Sequence, residues 1–112
     1  MKKLFLVSIF LFSQALIMAH PASSIDAKFD SKESILKVTL KHETGDITKH
    51  YIENVEILIN GKKAVMQLFL SQTDGKEQVA LYKIIDAKKG SEIKVSGECN
   101  KGGTKSVTIK VE

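Results

Sequence analysis

The stretch "YIENVEILINGKKAVMQLFL" (Tyr51–Leu70) decides the fold class. Tyr51, Glu53, Val55, Ile57 and Ile59 recur at every second position, the period of a strand with one covered face. Asn60-Gly61 follows, the pair a two-residue type I′ hairpin prefers because both positions need positive φ. Apolar residues resume at once over Lys63–Leu70. The segment therefore predicts two antiparallel strands, Tyr51–Ile59 and Lys63–Leu70, folded back on each other.

The same short-strand grammar extends in both directions. "IDAKF" (Ile25–Phe29) and "SILKVTLKH" (Ser34–His42) precede the hairpin. "QVALYKII" (Gln78–Ile85), "EIKVSGEC" (Glu92–Cys99) and "TKSVTIKV" (Thr104–Val111) follow it. In the last two, Ile93 and Val95, then Val107, Ile109 and Val111, are the expected inward positions. Turn-forming runs separate the strands, and no helical period, internal repeat or low-complexity linker interrupts them. Seven strands at such spacing predict an all-β, immunoglobulin-like antiparallel β-sandwich. The Trp and the second Cys of antibody domains are missing, and the architecture needs neither.

Ahead of this domain, Lys2 and Lys3 lead into the apolar run "LFLVSIFLFSQALIMA", which ends at the small residue Ala19. A charged start, an apolar middle and a small-residue end predict a secretory signal peptide over residues 1–19. A membrane anchor is the competing reading. The run contains Ser8, Ser13 and Gln14 and falls short of the roughly 20 apolar residues a span requires. Cleavage after Ala19 makes His20 the new N-terminus of one domain, residues 20–112, in a periplasmic or secreted location. No cysteine stands at the cleavage point, so a lipid anchor is not expected.

Composition narrows the function classes. All 17 basic residues are lysine. Removing Lys2 and Lys3 leaves 15 against 13 acidic residues, a formal charge of +2. That excess is small and scattered, and the forked arginine donor that reads phosphates and bases is absent, so nucleic acid is not an expected partner. No nucleophile-plus-base motif and no glycine-rich phosphate loop stands out. The single cysteine, Cys99, needs a reason in an exported protein. It reads as an inert buried thiol, an intermolecular disulfide partner or a metal ligand.

In a sandwich of this class the second-to-third and sixth-to-seventh strand connections open at the same end. His42 closes the second strand, His50 precedes the third and Cys99 closes the sixth. His20 lies on the segment leading into the first strand, which runs antiparallel to the second. All three histidines and the only cysteine are thus expected at one pole. Imidazoles with a thiolate suit iron, zinc or copper, whereas Ca²⁺ and Mg²⁺ take oxygen ligands. The plainer reading makes His42 and His50 solvent-exposed loop histidines and His20 a loose terminal residue.

At "KHYIENVEILINGK" and "ECNKGG" the sequence resembles the superoxide reductase (desulfoferrodoxin, neelaredoxin) family. Its motif runs His-Pro, then His-[Tyr/His]-Ile-x-Trp-Ile-Glu, and later Cys-Asn-x-His-Gly. His50, Tyr51 and Ile52 match the second element, Cys99 and Asn100 the start of the third, and His42 stands for the His-Pro histidine. Glu43 replaces the proline, Asn54 the tryptophan and Gly102 the last histidine. The resemblance implies an immunoglobulin-like sandwich with a mononuclear non-haem iron, where a thiolate lies opposite an open position at which superoxide takes one electron from a donor protein. On that reading the metal ligands are His42, His50, Cys99 and His20, with His20 replacing a lost histidine and its free α-amino group adding a further nitrogen.

Two other functions compete. One is a module carrying copper or zinc without catalysis. The other is a β-sandwich that binds a protein partner and holds no metal; here "HETG" (His42–Gly45) resembles a segment of the sulfur-oxidation carrier subunits.

Overall fold

The computed structural model describes residues 20–112. The expected signal peptide, residues 1–19, lies outside the described residues. Seven strands form in order: β1 (Ser24–Asp30), β2 (Ile35–Lys41), β3 (Ile52–Ile59), β4 (Lys62–Leu68), β5 (Glu77–Lys83), β6 (Glu92–Cys99) and β7 (Thr104–Lys110). They make two antiparallel sheets, ordered β1-β2-β5 and β4-β3-β6-β7, in a sandwich-like arrangement. All seven expected strands are present, with ends that coincide or shift by at most two residues.

The Asn60-Gly61 turn has φ of 49° and 83°, as the type I′ hairpin demands. β2 and β3 lie inside their sheets and supply much of the core. Along β2 the buried side chains are Leu36, Val38 and Leu40; along β3 they are Ile52, Val55, Ile57 and Ile59; along β6 they are Ile93, Val95 and Cys99. The expected inward row of β3 is corrected at one end. A register shift between Ile52 and Asn54 adds a residue to the strand, so Ile52 points inward in place of Tyr51 and Glu53.

The two sheets touch closely near the pole that carries the histidines. At Gly97 on β6 a Cβ atom would collide with Leu40 Cδ2 from β2. This is the one strand glycine whose missing side chain a neighbouring side chain occupies. The next inward residues toward the pole are His42 after β2 and Cys99 at the end of β6. The pole is thus the continuation of the core, with an imidazole and a thiol where the pattern would otherwise place aliphatic groups.

Ile57 is fully buried at the centre of the larger sheet, while Leu68 on its edge strand is 64 % exposed. Ile57→Ala should cost about 2–5 kcal/mol in urea unfolding. Leu68→Ala should stay within about 0.5 kcal/mol of the parent.

Candidate metal centre

Each histidine arrives by a different local device. His42 continues the inward alternation of β2, and its amide donates to Lys76 O at 2.9 Å, so the pairing with the β5 side persists past the strand end. His42 as a whole is 1 % exposed. Its Nδ1 lies 2.8 Å from Oε1 of Gln72, in the loop between β4 and β5.

His50 sits at the end of one tight turn. Asp46 O accepts from the amides of Lys49 (3.1 Å) and His50 (2.9 Å), and Asp46 Oδ1 accepts from Thr48 N (3.0 Å) and Thr48 Oγ1 (2.7 Å). Those Thr48 bonds hold the Asp46 carboxyl below its usual range. Asn100 clamps the other side. Its Nδ2 donates to Lys49 O (3.0 Å), its Oδ1 accepts from Tyr51 N (3.0 Å), and its own amide donates to Tyr51 O (3.0 Å). The turn and the β6–β7 loop therefore fix the backbone on both sides of His50.

His20 is held by packing. Ala22 is buried and Ser23 N donates to Lys41 O at 2.8 Å, which lays the segment along the end of β2. In the β6–β7 loop, Gly103 has φ +98°, and a Cβ there would fall 2.7 Å from Pro21 N and 3.0 Å from the His20 carbonyl carbon. Only glycine lets the loop and the His20-Pro21 backbone approach so closely.

The three rings form a nearly equilateral cluster, with centroid separations of 4.7, 4.8 and 4.8 Å. One nitrogen from each of His20, His42 and His50 lies within 4.8 Å of the others. Four-coordinate zinc takes imidazole nitrogen at roughly 2.0–2.1 Å, which places donors about 3.4 Å apart. Side-chain adjustments on the scale of an ångström close that difference. The cluster is able to chelate a divalent metal ion.

Two details separate it from an ordinary buried contact. Nε2 of His42 and Nε2 of His50 are both buried with no hydrogen-bond partner. Burial, reinforced by the neighbouring charges of His42, His20 and Lys101, pushes His50 below its ordinary value, which keeps the ring neutral as a metal ligand must be.

The expected gathering of ligand-type residues thus divides. The three histidines come together, whereas Cys99 is not a member of the mutually close group. Cys99 is a free, buried thiol packed with the hydrophobic core, and its Sγ accepts from Lys101 N at 3.4 Å. Sequence reasoning missed Gln72 altogether and noticed Asn100 only as the neighbour of Cys99. Nothing in "SQTDGKE" marks one polar loop residue as buried. Among comparisons with known proteins, no family model and no curated protein matches this chain.

Gly103→Ala should displace the His20-Pro21 segment and weaken zinc binding at least tenfold in a chelator competition, while the strand signature in circular dichroism persists. The pH dependence of the metal-free domain has a definite sign. The unfolded chain protonates His50 near its ordinary value of 6.5, and the folded chain only at lower pH. This contribution to stability is complete above about pH 6.5 and is lost as pH falls through the depressed folded value. Urea midpoints measured from about pH 7.5 down to 5 should decline, and His50→Gln should flatten part of that decline.

Proposed function

We propose that this chain is an exported metal-binding protein that holds one transition-metal ion between His20, His42 and His50. The observation that carries this reading is the pair of buried, partnerless Nε2 atoms in a three-imidazole cluster. A buried polar atom without a partner costs about 1–3 kcal/mol. A cation bound between the rings would satisfy both atoms at once. Imidazole donors suit zinc, copper or iron and not Ca²⁺ or Mg²⁺. Export rests on the Lys2-Lys3 start and the apolar run that follows, and places the protein in the periplasm or outside the cell. Processing after Ala19 would free the α-amino group of His20 as an additional nitrogen donor.

A superoxide reductase-like role is the second reading, with iron as the metal. It draws on Cys99, a buried thiol that ends β6 in the sheet opposite β2, the strand that His42 follows. In that reading an iron ion supplies one-electron chemistry, a thiolate from Cys99 sets its potential, and superoxide and an electron-donor protein are the partners. The Lys101 N–H···Sγ bond is compatible with ligation, since a metal-bound thiolate still accepts hydrogen bonds that tune its potential.

Metal content and absorption spectra of the processed protein test both readings. One equivalent of zinc, copper or iron should be retained, and His42→Ala should abolish retention. No tight binding of any of these metals would end the metal reading. A ferric form with a visible charge-transfer band that Cys99→Ser removes would support the redox role. A colourless or unchanged spectrum would leave a non-catalytic carrier of copper or zinc.

A further inference from the structure

We infer that Gln72 is a positioning residue that holds His42 as its Nδ1–H tautomer and thereby presents Nε2 as the donor to the metal, an inference that rests on the metal reading above. The side-chain amide can be oriented in only one way. Its Nε2 donates to two backbone carbonyls, His42 O at 2.8 Å and Asp74 O at 2.9 Å. Carbonyl oxygens only accept, so the NH₂ end must face them. Oε1 then faces the other side, where it accepts from Ile52 N at 3.1 Å and lies 2.8 Å from His42 Nδ1.

An amide oxygen has no proton to give. The short contact with His42 is therefore a hydrogen bond only if Nδ1 carries the hydrogen. A neutral imidazole has one such hydrogen, so Nε2 is left with its lone pair. Nε2 is the atom that is buried and without a partner. Both donors and both acceptor positions of the amide are engaged, and Gln72 is only 3 % exposed. Flipping the amide would set Nε2 against the Ile52 N–H and Oε1 against two carbonyl oxygens.

The residue type follows from the same geometry. A glutamate would hold His42 equally well through one oxygen, but its second oxygen would face the carbonyls of His42 and Asp74. A methionine or leucine would fill the space and give His42 nothing to donate to. Glutamine is the side chain that satisfies two acceptors, a backbone donor and an imidazole at once. It orients the ring without adding charge beside the ion, so the ion's positive charge stays uncompensated by this neighbour.

The test uses the processed protein, zinc as the probe, and nitrogen-15 spectra of the histidine rings recorded metal-free above the imidazole titration range. Wild-type His42 should show the Nδ1–H pattern. Gln72→Met should lose that pattern and bind zinc about 10–100-fold more weakly. A purely structural role for Gln72 would lower the unfolding midpoint of Gln72→Met and leave His42 of the folded variant as Nδ1–H. Finding wild-type His42 as Nε2–H, or finding zinc affinity unchanged in Gln72→Met, overturns the inference. The wild-type spectrum decides the tautomer even if the variant fails to fold. A wild type that binds no zinc yet shows Nδ1–H at His42 upholds the tautomer assignment and overturns the metal reading instead.

Discussion

The inward row of β2 does not stop where its apolar residues stop. After Leu36, Val38 and Leu40, strand geometry directs the next same-face side chain, His42, into the space between the sheets. A buried imidazole has two nitrogens to satisfy, and protein groups satisfy only one of them here. An amide is needed on Nδ1, and Nε2 is left buried without a partner in a ring packed against the other two.

The devices that meet the constraint come from separate parts of the chain. The β4–β5 loop brings Gln72, the turn at Asp46 brings His50, the β6–β7 loop brings Asn100 and Gly103, and the segment before β1 brings His20. None is a long-range electrostatic effect. Each is a short hydrogen bond or a close backbone approach set by the strand ends. The three rings therefore ride on the rigid ends of two sheets, the kind of support a ligand set needs in order to be held before an ion arrives. The same burial that keeps His50 neutral would make the metal-free protein sensitive to acid.

Much of the fold was readable because it rests on period and turn chemistry. Alternation in "EIKVSGEC" and the Asn60-Gly61 pair each have one local solution, and the structure adopts it. The shared pole of His20, His42 and His50 was also readable, since strand order alone sets which loops meet. The extra residue at the start of β3 was not, because it follows from pairing with β6 and leaves no mark in the β3 sequence. Gln72 was hidden for a related reason: its burial comes from where the loop folds back, and glutamine in a loop ordinarily faces water. Cys99 shows the limit of strand-order reasoning. It reaches the right pole, yet its thiol is turned to the core layer and the amide of Lys101.

The close approach of Gly103 to His20-Pro21 joins positions separated by most of the domain's length. Such a contact forms only after the final hairpin has closed, because the surface that receives it does not exist earlier. His20 therefore takes its place beside His42 and His50 through a contact with the far end of the chain, not through its own strand. The third imidazole of the cluster is thus the one whose seat depends on the longest loop closure in the domain.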